Sequence, residues 1–159
     1  MAQQQRDRDP AGRARNSRPR DAAGRPLPRG AQGVERVPED LVLPADEAVT
    51  EAQRLLDDGL PFQAHEVLEG AWKAAPDGER ECWRAMAQLA VGLTHAQRGN
   101  ARGAVALLDR AADGLRRWAG TYPAGVDGLG LATAADRLAR EFERTGVAAL
   151  PDEPVRLRG

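Results

Sequence analysis

The chain has 159 residues, of which 42% are hydrophobic and 30% are charged, and its formal net charge at pH 7 is −1. This length suggests a single domain, and the lone cysteine, Cys82, excludes an intramolecular disulfide and a multi-cysteine zinc cluster. No apolar run approaches the roughly 18 residues that span a membrane, and the first thirty residues lack the apolar stretch of a secretory signal. These features predict a cytoplasmic protein with no membrane partner.

Residues 1–40 differ in composition from the rest of the chain. Residues 1–38 hold nine arginines against four acidic residues, whereas the remainder holds 14 basic and 20 acidic residues. A segment with almost no large apolar side chains cannot offset the entropy of ordering, so we predict a disordered basic arm. The arm could associate with nucleic acid. An inert tail is favoured, because no aromatic residue lies among the arginines to stack on bases.

From residue 41 to residue 146 the apolar residues recur with helical spacing, and no segment alternates like a strand. The first two helices are predicted at Pro44–Asp58 and from Pro61 to just before Pro76, with proline favoured at a first helical position. The third is predicted at Gly78–Arg98, with Asp77 as its N-cap. Gly99-Asn100 predicts a short turn into an antiparallel fourth helix, Ala101–Ala119. A glycine-rich loop then precedes a fifth helix at Leu131–Thr145.

These elements predict an all-α fold. It is a compact bundle of about five helices in which the third helix is buried, because that helix is apolar around most of its circumference. The basic arm, residues 1–40, precedes the bundle domain, residues 41–146, and the tail, residues 147–159, is predicted to be loose.

Two narrow polar stripes interrupt the apolar faces. On the second helix, His65 and Glu69 lie one turn apart at the edge of the buried face, and Glu66 points further toward solvent. On the third helix the polar stripe comprises Glu81, Arg84, Gln88 and His95. Because buried polar groups need partners, we predict that the stripes face each other. The predicted polar site comprises His65, Glu66, Glu69, Arg84, Gln88 and His95.

The stretch "HEVLE" differs by one residue from the H-E-x-x-H pattern of zinc proteases. Glu69 stands where that pattern has its second histidine, so His65, Glu69 and His95 could form a set of zinc or manganese ligands with one open position. No serine, threonine or cysteine is visibly paired with a histidine, which disfavours a nucleophilic hydrolase. The favoured interpretation is a hydrogen-bonded network that pins the second helix to the third.

Three stretches in this order resemble domain-of-unknown-function family 309, a group of small bacterial and archaeal helical proteins. They are "FQAHEVLEGAW", "AMAQLAVGLTHAQRGNARGA" and "YPAGVDGL". The resemblance covers roughly Ala48–Ala132. The family pattern falls on His65, Glu66, Glu69, Trp72, Ala85–Ala90, His95, Gly99, Asn100, Gly103 and Ala104, with Ala85 and Ala87 as departures. The resemblance implies that both histidine-bearing stripes belong to the family pattern, and it implies no activity.

The sequence leaves several functions open. The favoured one is a small helical-bundle protein without catalytic residues that can be named, whose polar site has a structural role or forms a pocket for a ligand or partner. The alternatives are a metal-binding protein or metal-dependent hydrolase using His65, Glu69 and His95, and nucleic-acid association through residues 1–38. No cofactor is expected outside the metal alternative. A protein partner or a homo-oligomer is compatible with the same pattern.

Overall fold

The computed structural model describes residues 20–27, 33, 37–38, 41–146 and 148–159. Within these residues the chain forms five α-helices, a 3-10 turn at Pro123–Gly125 and two isolated β-bridges, without a strand. The helices are α1 (Ala45–Asp57), α2 (Pro61–Ala74), α3 (Arg80–Gln97), α4 (Ala101–Arg117) and α5 (Gly128–Thr145). This architecture confirms the predicted all-α class.

Consecutive helices pack against one another, so α3 lies between α2 and α4, α1 packs on α2, and α5 packs on α4. The centre of α3 is buried from several directions, since Met86, Leu89 and Ala90 have no exposed surface. A helix with apolar residues around most of its circumference needs neighbours on several sides. The prediction of a buried central helix is therefore confirmed.

Local chemistry explains most helix boundaries. Pro61 occupies the first turn of α2, where its missing N–H leaves no bond unmade. Asn100 caps α4, because its side-chain oxygen accepts a hydrogen bond from the Gly103 N–H at 3.0 Å. The prediction of Asp77 as the N-cap of α3 is wrong. The helix begins at Arg80, and the residue at its N-cap position, Glu79, makes no side-chain capping hydrogen bond.

Helix α5 begins three residues earlier than predicted, at Gly128. The Asp127 carboxylate accepts a hydrogen bond from the Gly130 N–H at 3.0 Å and so caps the helix. The glycines of this segment favour a loop by propensity. The aspartate cap and the buried faces of Gly128 and Leu131 draw the segment into the helix instead.

The C-terminal tail is not loose, which corrects the prediction for residues 147–159. Among the described residues 148–159, the Leu157 side chain is fully buried and Val155 nearly so. The Leu157 N–H donates to the Gln53 side chain at 2.8 Å, and the Leu157 carbonyl accepts from the Asp127 N–H at 2.9 Å. Alternation of apolar Val155 and Leu157 with polar Arg156 and Arg158 lets the tail bury one side against α1.

The predicted disordered arm lies mostly outside the described residues. Within the described segment 20–27, an isolated bridge joins Arg20 to Pro26 around a turn, and Ala23 is buried. The Arg98 side chain at the end of α3 donates to the Ala23 carbonyl at 2.8 Å. This part of the arm therefore contacts the helical domain, and the domain boundary at residue 40 stays a prediction.

Candidate functional site

Helix α2 presents His65 and Glu69 together at its edge. The His65 Nε2 atom lies 3.0 Å from a Glu69 carboxylate oxygen, and the Lys73 amine lies 3.0 Å from the other oxygen. The three residues are spaced four apart, so each side chain sits one turn above the previous one. The His65 side chain is 22% exposed and that of Glu69 is 34% exposed. The predicted pairing of His65 with Glu69 is present, and the pair lies at the surface.

Both ring nitrogens of His65 face acceptors. Nδ1 lies 3.2 Å from the Phe62 carbonyl, while Nε2 faces the Glu69 carboxylate. A neutral imidazole carries one N–H and can donate to only one of these oxygens. Each of these oxygens occupies the space in front of one ring nitrogen, so a metal or a substrate could reach either nitrogen only after His65 or its neighbour moved. This arrangement is that of a side chain fixed along its own helix.

His95 contacts α4 and its cap. Its Nδ1 atom lies 3.1 Å from the Asn100 side-chain nitrogen. Because the Asn100 oxygen is held by the Gly103 N–H, its NH2 group must face the ring, so Nδ1 acts as an acceptor. A side chain at Gly103 would begin 2.9 Å from Nδ1, so the glycine leaves room for the ring. Burial, and next the charge of Arg98, lower the pKa of His95.

The other predicted members of the polar site are Glu66 on α2 and Arg84 and Gln88 on α3. Arg84 is exposed and lies 3.9 Å from Glu81 on its own helix, while Gln88 is half-buried. Glu66 is half-buried on α2. Within the described part of the chain, no hydrogen bond or ion pair joins His65 or Glu69 to Arg84, Gln88 or His95. The single interacting network expected between the two stripes is therefore not formed by direct contacts.

The proposed metal ligands are likewise not assembled. Among the described residues, no group of three or more His, Cys, Asp or Glu side chains is placed to hold a metal ion. His65 and Glu69 meet through helical spacing, but His95 is directed to the Asn100 cap. The zinc or manganese interpretation stays a prediction without a ligand set in this part of the structure.

Cys82 has the environment of a core residue. The thiol is buried, and desolvation, followed by the negative charge of Glu79, raises its pKa to about 12. The nucleophilic form of cysteine is the thiolate. A thiol with such a pKa is protonated near neutral pH, which agrees with the interpretation of Cys82 as a small apolar side chain.

Gln63 is a buried polar side chain of α2. By helical spacing it shares the polar arc of the helix with Glu66, yet it is only 3% exposed. Its side-chain oxygen has no hydrogen-bond partner among the described residues. No signal in α2 alone could predict this burial, because it depends on what covers the outer face of the helix.

A groove that sequence reasoning missed lies where the end of α2 meets the beginnings of α1 and α3. It encloses about 410 Å³, a volume within the range of small-ligand pockets. Among the described residues, its lining is mainly alanine, proline and larger apolar side chains, and Glu79 is the one charged member. The lining comprises Val42, Leu43, Pro44, Ala45, Ala71, Ala74, Ala75, Pro76, Glu79 and Trp83.

The fold and site together define an all-helical domain with a surface histidine–glutamate pair and an apolar groove. Residues 49–107 match the family model described as "Domain of unknown function (DUF309)". The resemblance to this family is thereby confirmed over a segment that runs from α1 into α4 and contains His65, Glu69 and His95. No curated protein and no solved structure matches the chain.

None of the described helices is both long enough and apolar enough to cross a bilayer.

Proposed function

We propose that this protein is a binding domain without a catalytic role, and that its ligand is a partner segment with an apolar side chain next to a cationic one. The groove between α1, α2 and α3 is the observation that carries this proposal. The apolar side chain would occupy the groove, and the cationic group would lie beside Glu79.

The shape and lining of the groove support an apolar occupant. Val42 is 59% exposed at its edge, one of the large apolar side chains that the described residues leave open to solvent. Ala71, Ala74 and Trp83 also line the groove, and the small side chains of the two alanines leave room for an incoming group. Burying apolar surface here would contribute roughly 25 cal/mol per Å² removed from water, so a single large side chain would contribute substantially.

Charge supports a cationic neighbour. Glu79 accepts a hydrogen bond from the Trp83 indole N–H through one carboxylate oxygen, at 3.4 Å. A carboxylate has two oxygens with capacity for several donors, so the other oxygen retains capacity for an incoming ammonium or guanidinium group. An anionic neighbour would meet the carboxylate with like charge, which gives the groove a means of discrimination.

The His65–Glu69 pair has a structural role in this proposal. Its contacts lie along one face of α2, and the chain Phe62–His65–Glu69–Lys73 spans three helical turns. Such pairs stabilise a helix by a few tenths of a kcal/mol each. The proposed role is to support α2, whose last turn forms a wall of the groove.

The test uses two capped tetrapeptides, acetyl-Ala-Leu-Arg-Ala-amide and acetyl-Ala-Leu-Glu-Ala-amide, titrated into the full chain. Binding is followed by the NMR signal of the Trp83 indole N–H, which contacts Glu79. We expect the arginine peptide to shift this signal and to bind at least threefold more tightly than the glutamate peptide. Ala74→Phe fills the groove and should reduce binding at least tenfold.

Ala106→Phe is the matched control, since Ala106 is an exposed alanine on the surface of α4. This variant should bind the arginine peptide as tightly as the unaltered protein does. Glu79→Gln should remove the preference for the arginine peptide while leaving the leucine contact. Equal binding of both peptides by the unaltered protein, or equal losses for the two phenylalanine variants, would overturn the proposal.

A further inference from the structure

A basic corner lies at the opposite end of α2 from the groove. We define it by Arg20, Arg25 and Arg98 around the Phe62 ring. The turn of residues 20–27 is held by hydrogen bonds from the Asp21 N–H to the Arg25 carbonyl and from the Gly24 N–H to the Asp21 carbonyl, both 3.0 Å. This turn places the first two arginines beside the end of α3, which carries the third.

One aromatic ring gathers two of these charges. The Arg20 guanidinium carbon lies 5.1 Å from the Phe62 ring centroid, and that of Arg98 lies 6.0 Å from it. A cation within about 6 Å of an aromatic face is attracted by the ring quadrupole. Both guanidinium groups therefore lie beside the same ring, despite the repulsion between their like charges.

The partners of Arg25 and Arg98 are carbonyl groups. Arg98 donates through Nε to the Ala23 carbonyl at 2.8 Å, and Arg25 donates to the Arg98 carbonyl at 3.1 Å. Within the described residues neither guanidinium lies within 4.0 Å of a carboxylate; the nearby Asp21 carboxylate accepts from the backbone N–H of Arg25. Carbonyls satisfy N–H groups without neutralising charge, so Arg25 and Arg98 keep their positive charges at this corner.

We propose that this corner binds the phosphate backbone of a nucleic acid. An arginine fork matches phosphate oxygens bidentately, and a polyanion offers closely spaced charges to several guanidinium groups at once. The sequence continues the pattern, since residues 1–38 hold nine arginines against four acidic residues. Residues 39–159 hold 14 basic and 20 acidic residues, so the basic corner is a local patch against a net negative domain.

Nucleic acid fits the corner better than an anionic membrane does. Surface binding to a bilayer combines basic residues with large apolar side chains that enter the acyl region. Among the described residues, the exposed large apolar side chains are Val42, which lines the groove, and Leu129, at the start of α5. Neither belongs to the basic corner, which offers charge and hydrogen-bond donors.

The test measures binding of the full chain to a fluorescein-labelled 20-nucleotide single strand, to the corresponding duplex, and to vesicles containing phosphatidylserine, at several salt concentrations. We expect nucleic-acid binding that weakens with salt. The double variant Arg25→Gln with Arg98→Gln should bind at least tenfold more weakly. Its slope of log affinity against log salt should be smaller by about 1.4 for the single strand, the value for two lost phosphate contacts.

Two further variants separate charge at this corner from general charge and from folding. Arg137→Gln with Arg144→Gln removes two exposed charges from α5 and should change affinity less than twofold. Arg98→Lys keeps the charge but loses the Nε contact with Ala23, and it should retain most of the binding. Absence of binding, binding to vesicles alone, or equal losses for the two double variants would overturn the proposal.

Discussion

The contact between His65 and Glu69 arises from their spacing within one helix, and this limits how much the pair contributes to the free energy of unfolding. The side chains are partly exposed, so water competes for their polar groups. Exposed pairs four residues apart contribute about 0.2–0.5 kcal/mol. The larger cost of stranding a buried partner, which a network between α2 and α3 would entail, does not apply to this geometry.

A double-mutant cycle measures the contribution of the His65–Glu69 pair to stability. We expect His65→Ala and Glu69→Gln each to lower the free energy of unfolding by about 0.5 kcal/mol and to couple with each other by a few tenths. His95→Ala should couple with neither, because no hydrogen bond or ion pair among the described residues joins it to them. Urea denaturation at pH 7 measures all three terms. A coupling above 1 kcal/mol between Glu69 and His95 would contradict the separation of the two stripes.

His95 gives a pH dependence of defined sign. Burial, and next the charge of Arg98, lower its pKa below the ordinary histidine value of about 6.5, so the unfolded chain takes up the proton at higher pH than the folded protein. Stability should fall as pH drops from about 6.5 toward the lower folded pKa. Between pH 7.5 and pH 5.0 the urea midpoint of the unaltered protein should decrease, and that of His95→Gln should decrease less.

His65→Gln is the control for this measurement, because it removes the other histidine. If His95→Gln and the unaltered protein lost the same stability between the two pH values, the His95 environment would not be the cause.

At the scale of single elements, helix caps set boundaries that apolar periodicity leaves open. Asn100 and Asp127 each accept a hydrogen bond from the N–H three residues later. The Asn100 cap was recognisable from the residue types, because glycine suits a helix terminator and asparagine an N-cap, and Gly99 does have the positive φ of a terminator. Asp127 stands among glycines that suggest a loop. Its role as an N-cap is therefore evident only from the structure, in which α5 begins at Gly128.

Replacing the α4 cap tests this reasoning. Asn100→Ala should lower stability by about 1 kcal/mol, because the Gly103 N–H loses its acceptor. Asn100→Asp keeps the acceptor oxygen and adds a negative charge at the helix N-terminus, which the helix dipole favours. Thermal or urea unfolding should therefore show a smaller loss for the aspartate variant. Equal losses would show that the side-chain amide acts mainly through His95.

For the whole molecule, the tail closes the core beside α1. Leu157 is buried next to Gln53, and Arg158 donates to the Asp46 carboxylate and the Thr50 hydroxyl on the same helix. Segments more than 100 residues apart in the chain are thereby joined. A tail with these contacts contributes to the stability of the bundle.

Truncating side chains in the tail measures that contribution. Leu157→Ala should lower the free energy of unfolding by about 2–4 kcal/mol, the cost of a cavity at a buried leucine. Arg156→Ala is the neighbouring control; it is exposed, lies 3.8 Å from Asp57 and should cost less than about 1 kcal/mol. A loose tail would make both changes nearly neutral, so a small effect of Leu157→Ala would restore that interpretation.

The sequence by itself determined the helices, the burial of α3, the Asn100 turn and the meeting of His65 with Glu69. Each of these depends on neighbours within a few residues, where helical geometry fixes which side chains share a face. The match over residues 49–107 rests on the same segment.

Tertiary structure decided the rest. The burial of Gln63, the direction of His95 and the groove at the end of α2 depend on which element covers each face. The tail carries two apolar residues, Val155 and Leu157. Their spacing in the sequence does not indicate that they pack against α1. Contacts between distant segments depend on how the helices pack in three dimensions, and local spacing carries no information about that packing.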